Sequence, residues 1–254
     1  MYILSGIIEK PRLGRAARAW ALAGVMLVMT CSRVLALGED LLYTGTAYTV
    51  PAGQTQLQLA YNTVFGAGVK VSGASLRFGA TRNFDWKLGY GYLWNDRGPN
   101  VQIGPSASVK WRFLGDGKTT PSVAISALHA TNRSAVDGSR EQDSGAVLIA
   151  QLPTKHATLL ANLGRVWVDG RGSDIYYEAF AAGRFVSRTT LLAVEYVAIT
   201  PVGRRRAVSG KSQWVLGAVY TPQERTSWSL QIGYLPQPIG GSHWTGTLGF
   251  GAYL

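Results

Sequence analysis

Trp86, Leu88, Tyr90, Tyr92 and Trp94 fall on every second residue, with Lys87, Gly89 and Gly91 between them and Leu93 as the one apolar exception. Successive side chains of a strand point to opposite faces, so this period of two marks an extended chain with one apolar and one polar face. Residues 95–100, Asn-Asp-Arg-Gly-Pro-Asn, are turn formers. Beyond them Val101, Ile103, Pro105, Ala107, Val109, Trp111 and Phe113 alternate with Gln102, Gly104, Ser106, Ser108, Lys110 and Arg112. The whole reads as a hairpin with one apolar face. A soluble sheet can alternate in the same way, but rings at both ends of the face separate the two cases. Trp86 and Trp94 bound an apolar strand about nine residues long, enough to cross a bilayer. Rings in those places form the interfacial girdles of a transmembrane barrel.

The N-terminus reads as an export signal. Lys10, Arg12, Arg15 and Arg18 precede the apolar run 19–29, and Val34-Leu35-Ala36 offers a cleavage site after Ala36. Residues 1–36 are therefore expected to be removed and 37–254 to form a single domain. The apolar run is about 11 residues, short of the roughly 20 that a helical span needs. Cys31 offers lipidation as an alternative, although Thr30 suits the position before a lipoprotein cysteine poorly. The chain carries a formal net charge of +11, and its mature part stays basic after losing Lys10, Arg12, Arg15, Arg18 and Arg33 with Glu9. Cys31 is the only cysteine, so an exported mature chain has no disulfide framework. No later apolar run reaches helical membrane length, which excludes helical spans and leaves a closed barrel.

Hairpin patterning continues to the end of the sequence. Turns at 81–85, 114–118, 153–156, 187–190 and 221–227 are mostly short, and the connections at 131–144 and 201–212 are long. Short periplasmic turns with longer external loops are the habit of outer-membrane barrels. The expected fold is all-β: an antiparallel up-and-down transmembrane barrel of about 12 strands in the bacterial outer membrane, with both termini in the periplasm. The expected lipid-interface aromatics are Trp86, Trp94, Trp111, Trp214, Tyr220, Trp228, Tyr234 and Trp244. In 175–186 the pattern puts Ile175, Tyr177, Ala179, Ala181 and Phe185 outward against Glu178 and Arg184. Residues 145–152 and 157–168 alternate too weakly to assign faces. A soluble β-sandwich or lipocalin-like barrel would turn the apolar faces inward. It would then bury Trp and Tyr at strand ends, and the opposite faces, rich in Gly, Ser and Gln with Lys and Arg, suit a wet lumen.

Few residues point to chemistry. His129, His156 and His243 form no metal-ligand spacing, and no cofactor motif is present. Ser242 and His243 are the only adjacent Ser–His pair, and neighbours in a strand face opposite ways. The expectation is a non-enzymatic protein without cofactor or metal. Arg77, Lys87, Lys110 and Arg112 fall on the inward face at the periplasmic end of three neighbouring strands, with Arg184 at the same level and Glu178 and Glu195 as inward acids. These seven are the candidate lumen-lining residues. They read either as a basic constriction favouring anions or as charges that fill and solvate a lumen. Arg204, Arg205 and Arg206, in an expected external loop, read as a partner contact, a contact to lipid phosphate or a solvated run. Nucleic acid is rejected as a partner, because the positive charge lies on loops and strand ends of an exported barrel.

Three stretches carry a family resemblance. Residues 46–61, TAYTVPAGQTQLQLAY, have a Thr/Ala-rich lead, then Pro-x-Gly, then a strand. Residues 108–127, SVKWRFLGDGKTTPSVAISA, end one strand on Lys–aromatic–Arg–Phe before a polar turn and Pro-Ser. Residues 182–197, AGRFVSRTTLLAVEYV, hold Ser-x-x-Thr between two strands and a Glu in the second. Over most of its mature length the chain resembles the phenol-degradation meta-pathway family of outer-membrane barrels. It departs from them at Leu254, where an aromatic is usual for recognition by the barrel-assembly machinery. The resemblance implies a barrel that passes hydrophobic or aromatic solutes inward, and supplies no catalytic motif. The expected function is thus a channel or uptake barrel for small molecules, aromatic or anionic, with outer-membrane lipid, lipopolysaccharide and the assembly machinery as further partners. The alternative is a structural or adhesion barrel with a filled lumen and functional external loops. Edman sequencing of the protein recovered from membranes should begin at Leu37; a start at Met1 would contradict the leader.

Overall fold

The computed structural model describes residues 44–96, 100–134, 138, 140–168, 174–202, 211–223, 225–235 and 243–254. The leader 1–36 with Cys31, the loop arginines 204–206 and Ser242 lie outside the described residues. Twelve strands follow one another: β1 (Thr55–Val64), β2 (Val69–Thr81), β3 (Phe84–Asn95), β4 (Val101–Leu114), β5 (Ser122–Ser134), β6 (Arg140–Pro153), β7 (Thr158–Val168), β8 (Asp174–Phe185), β9 (Thr190–Val202), β10 (Lys211–Gln223), β11 (Thr226–Leu235) and β12 (His243–Tyr253). Each pairs antiparallel with the next, and β12 pairs back onto β1 from Gln56↔Tyr253 to Val64↔Thr245. The sheet has no free edge, as a lipid-embedded sheet requires. β1 starts and β12 ends at the rim with the shorter connections, which sets that rim in the periplasm.

The outer surface is apolar. Leu88, Leu148, Leu163, Leu216, Leu230 and Leu248 are all exposed on it. Two girdles of rings bound this band. Phe78 stacks on its cross-strand partner Trp86 with centroids 4.3 Å apart, and Trp228 meets Phe250 at 4.8 Å near the periplasmic rim. Tyr196 with Trp214 and Tyr234 with Trp244 do the same near the other rim, at 5.0 and 5.2 Å. Trp228 and Tyr234 lie six residues apart on β11, about 20 Å along the strand, close to the height of a lipid-facing band. All eight aromatics singled out in the sequence stand on this outer face. A soluble barrel hides such a face, so the chain is a transmembrane barrel.

The structure departs from the sequence pattern in three places. Val101 and Ile103 point inward, in the same apolar cluster as Val71 and Leu93. A bulge is responsible: β4 spends three residues from Ile103 to Ser106 where β3 spends two from Gly91 to Gly89, so the phase flips at Gly104. In β8 the faces are opposite to the expected ones. Ile175, Tyr177, Ala179 and Ala181 are buried in the lumen, while Tyr176, Glu178 and Phe180 are exposed outside. The apolar side of β8 meets a packed interior rather than lipid. Third, strand pairing runs on into both supposed long loops, to Ser134 and from Arg140, and to Val202 and from Lys211. β6 also alternates cleanly once its inner positions Val147 and Ile149 are assigned to a packed lumen.

Leu230 stands mid-strand on the lipid face, between the girdles. Leu230→Arg should cost roughly 2–4 kcal/mol of barrel stability, read from urea unfolding in detergent. Arg at Thr189, in a periplasmic turn, should cost little; equal costs would mean that Leu230 does not face lipid.

Candidate functional site in the lumen

The lumen wall is mixed. β1–β4 with β11 and β12 line it with Gln56, Gln58, Asn62, Ser75, Gln231, Thr245 and Thr247, all buried. Across it, β5–β10 contribute an apolar patch that includes Ala124, Ile149, Ala179, Val197 and Val215, beside the buried polar Ser126, Asn162, Gln151 and Glu195. A second apolar layer, including Val71, Leu93, Ile103, Val166 and Ile175, closes over the extracellular end of the described interior. These residues pack against one another where the sequence pattern implied water.

The space between the two walls is taken by the chain itself. From Gly53, whose N–H donates to the Gly79 carbonyl at 2.9 Å on the periplasmic rim, residues 52–44 run up into the barrel. Thr44, Ala47 and Val50 have no solvent exposure. This segment forms no sheet ladder, so its backbone polar groups need partners from the wall. Thr44 donates through its N–H and its hydroxyl to Glu195 Oε2, both at 2.9 Å. The Ala47 N–H donates to Gln151 Oε1 at 3.1 Å and the Val50 N–H to Asp85 Oδ2 at 3.0 Å. In the other sense Lys110 Nζ donates to the Thr46 and Tyr48 carbonyls at 2.9 and 3.2 Å. Arg77 Nη2 donates to the Tyr48 carbonyl at 2.8 Å and to Asp85 Oδ2 at 2.7 Å. A Cβ added at Gly79 would stand 1.9 Å from the Pro51 oxygen, so only glycine lets the segment lie against β2 here.

The periplasmic turns fold against the same segment. Arg112 Nη2 donates to the Arg82 carbonyl at 2.7 Å, and that carbonyl also accepts from the Thr49 hydroxyl at 2.8 Å. Arg112 Nη1 reaches the Asp116 carbonyl at 2.7 Å. The Gly115–Gly117 corner uses φ of 77° at both glycines, a region where side chains are strained. It brings Gly117 so close that an added Cβ would lie 2.8 Å from Tyr48 Cα. Lys118 Nζ sits 4.6 Å above the Tyr48 ring, whose hydroxyl lies 3.4 Å from that of Tyr253. The Asp116 carboxylate accepts from the N–H groups of Lys118, Thr119 and Thr120 and from the hydroxyls of Thr119 and Thr120. These bonds, the Thr119 hydroxyl first, hold its pKa well below the usual carboxylate range. A cavity of about 30 Å³, room for about two waters, lies among Gly45, Gln58, Arg77, Asp85, Lys87, Ser108, Lys110, Ser126 and Ile149.

The candidate lumen residues thus divide. Arg77, Lys110, Arg112 and Glu195 are buried inside, and Lys87 lines the cavity with Arg77 and Lys110. Glu178 and Arg184 are exposed on the outside, because β8 runs in the opposite phase. Sequence reasoning missed Asp85 and Gln151 and gave residues 44–52 no place in the lumen. The missed signal is a stretch without charge from Thr44 to Thr49, followed by Pro51 and Gly53. It also missed His129 and Ser144, cross-strand partners outside the barrel with Nδ1 and Oγ 2.9 Å apart. Their strand amides are committed to the ladder, which leaves none to bind an oxyanion there.

No protein-family model matches the sequence, and no curated protein sequence matches it. The fold is similar to solved outer-membrane barrels. A NanC porin aligns with a TM-score of 0.60 at 10% identity, over 77% of this chain and 98% of the porin. An outer-membrane channel from Pseudomonas putida F1 aligns with a TM-score of 0.58 at 10% identity, over 82% and 98%. A KdgM porin, solved with disordered oligogalacturonate, aligns with a TM-score of 0.57 at 6% identity, over 78% and 98%. At these identities the likeness is one of fold. With the apolar band and both girdles, it makes the chain an outer-membrane β-barrel.

Asp116 gives the site a pH dependence of known sign. Its lowered pKa stabilises the fold above the ordinary Asp range, near 3.9, and that contribution is lost as the pH falls through and below it. Hydrogen exchange at the Lys118, Thr119 and Thr120 amides should therefore be equally protected at pH 7 and pH 5 and faster in Asp116→Asn at both. Equal exchange in variant and parent would separate the turn from that carboxylate.

Proposed function

We propose that the chain is an outer-membrane channel for small solutes, held closed by its own residues 44–52. The observation behind this is the way the segment is held. Its contacts are mostly hydrogen bonds from its backbone to charged and amide side chains of the wall. Such bonds are individually worth about 1–3 kcal/mol and can be exchanged for bonds to water when the segment withdraws. Withdrawal takes the Thr46 and Tyr48 carbonyls from Lys110 and the Tyr48 carbonyl from Arg77. It would leave Arg77, Lys87, Lys110 and Arg112 around a wet chamber with Asp85 as their near acid, and conduction also requires the apolar layer of Val71, Leu93, Ile103, Val166 and Ile175 to part. That supports anionic solutes, and the apolar patch of Ala124, Ile149, Ala179, Val197 and Val215 on β5–β10 supports an apolar or aromatic body on the same solute. This amphipathic class agrees with the family that the sequence resembles, the phenol-degradation meta-pathway barrels, and we extend membership of that family to the chain as part of the proposal.

A second reading has its own observation. The apolar layer of Val71, Leu93, Ile103, Val166 and Ile175 packs as a core does, which supports a permanently filled structural barrel.

Planar-bilayer recording separates the two. The parent should be closed or open only briefly, and Gly79→Ala, which drives a methyl into Pro51, should open it more often. Ala47→Cys with Gln151→Cys, joined by a short thiol cross-linker in a mature chain free of other cysteines, should hold it shut. The open state should prefer anions, more strongly at low salt, and Lys110→Gln with Arg112→Gln should bring the reversal potential toward that of a neutral pore. A barrel lacking residues 44–52 that folds, shifts on unheated gels and still does not conduct would favour the filled barrel. Conduction with cation preference would remove the anionic substrate.

A further inference from the structure

Polar and charged side chains cluster on the lipid-facing surface of β5–β8, while Lys70 on β2 stands beside its cross-strand partner Trp94. At the level of the extracellular girdle Ser144 stands between its cross-strand partners His129 and Trp167. Its Oγ lies 2.9 Å from His129 Nδ1. Beside Trp167, the guanidinium of Arg165 lies 5.6 Å from the centroid of that ring and 5.6 Å from that of Tyr176. Asp174 Oδ2 accepts from Arg165 Nη2 at 2.6 Å, and the Arg165 side chain stays partly exposed. A guanidinium carries five N–H donors, so its exposed edge can meet a second anion while the rings and Asp174 fix its place.

Four residues above His129 and Ser144 on the same face, about 13 Å along the strands, Arg133 and Arg140 are direct cross-strand partners. Both are exposed, and a Cβ on Gly138 would lie 3.6 Å from Arg133 Nη2, which sets that guanidinium toward the hairpin tip. Like charges directly opposite one another in a sheet repel. An anion between them turns the repulsion into attraction. Below the girdle the same strands present Leu148, Leu163 and Phe180 to lipid, with the exposed Glu178 beside Leu163 on the same face.

Cations fixed at and above the outer girdle, over an apolar face that meets acyl chains, match one ligand chemistry. We propose that this sector seats the phosphorylated headgroup of lipid A. Arg133 and Arg140 take a phosphate in the upper row. Arg165, flanked by its rings, takes anionic or hydroxyl oxygens at the girdle, and the His129–Ser144 pair bonds neighbouring sugar hydroxyls. The acyl chains lie below, on Leu148, Leu163 and Phe180. A solute passing through the lumen would not meet these side chains, since all of them are outside the wall. The seat is independent of whether the lumen opens.

Native mass spectrometry of the detergent-solubilised barrel tests it with three probes: bis-phosphorylated lipid A, the same lipid A with both phosphates removed, and phosphatidylglycerol. The phosphorylated form should be retained most. Arg133→Gln with Arg140→Gln should weaken retention by about fivefold for each arginine lost, the attraction of one cation to an anionic lipid surface. Arg165→Gln should weaken it by a similar factor. Lys70→Gln, an exposed cation on β2 outside this sector, should leave it unchanged. Arg165→Gln also breaks the bond to Asp174, so the Arg133 and Arg140 pair, which shares no contact with Asp174, is the decisive variant, with the unheated gel shift verifying its fold. Equal retention of dephosphorylated lipid A or of phosphatidylglycerol would overturn the proposal, as would an equal loss in Lys70→Gln.

Discussion

Pairing of β1 with β12 is the contact on which everything else rests. Before it forms, the sheet has two edges whose N–H and C=O groups would face hydrocarbon without partners, at a cost of several kcal/mol per group. After it forms, from Gln56↔Tyr253 to Val64↔Thr245, no edge remains. Closure also fixes an inside and an outside, so each position has one environment only. The girdle pairs Phe78–Trp86 and Tyr234–Trp244 are cross-strand neighbours, so the same registers that close the sheet also build the belts.

Closure creates a second requirement. A lumen of this width must be filled or wetted, and cations on its wall must find partners. Here the chain meets that requirement with its own backbone. The three N–H groups of Thr44, Ala47 and Val50 go to Glu195 on β9, Gln151 on β6 and Asp85 on β3. Those strands stand a quarter of the barrel apart, so the segment is pinned from three sides as it rises. Arg77 and Lys110 hold its carbonyls from β2 and β4. Asp85 joins the two sets, since it accepts from both the segment and Arg77.

The fold was legible because lipid makes a one-sided demand. Wherever the outer face is apolar and the inner face polar, as from Trp228 to Tyr234, the period of two identifies both. In β8 both faces carry large side chains, and Ile175 or Tyr177 could as well meet lipid as a packed interior. Charge then misleads: Glu178 and Arg184 read as inward because a charge beside lipid is costly, yet both are exposed on the outer face, Arg184 beside the periplasmic turn and Glu178 opposite Leu163. The bulge at Gly104 was invisible because one extra residue leaves the sequence alternation intact while it flips every side chain beyond it. In the site, the cations of β2 and β4 could be read from the strand phase. Their partner could not. It is backbone, and backbone groups have no signature in a sequence.

Recognition through the backbone also bears on how specific the closure is. A side chain such as Tyr48 adds a ring contact with Lys118 and a hydroxyl beside Tyr253, but the bonds that span the lumen use Thr44 N–H, Ala47 N–H, Val50 N–H and two carbonyls. Any residue small enough to fit could supply them. The demanding positions are therefore steric ones, Gly79 against Pro51 and Gly117 against Tyr48, together with the wall's charges. An extended segment outside the sheet ladder would have little structure of its own to unfold on the withdrawal proposed above. Its release would be opposed by bonds that water can replace, by the contacts of Tyr48 with Lys118 and Tyr253 and by the apolar contact of Ala47 with the wall of β5–β10. A helical or sheet-like plug would carry its own cooperative structure, and the cost of removing it would no longer be set by the wall. In the proposed channel the wall side chains, Arg77, Asp85, Lys110, Gln151 and Glu195 above all, would set how tightly the segment is held.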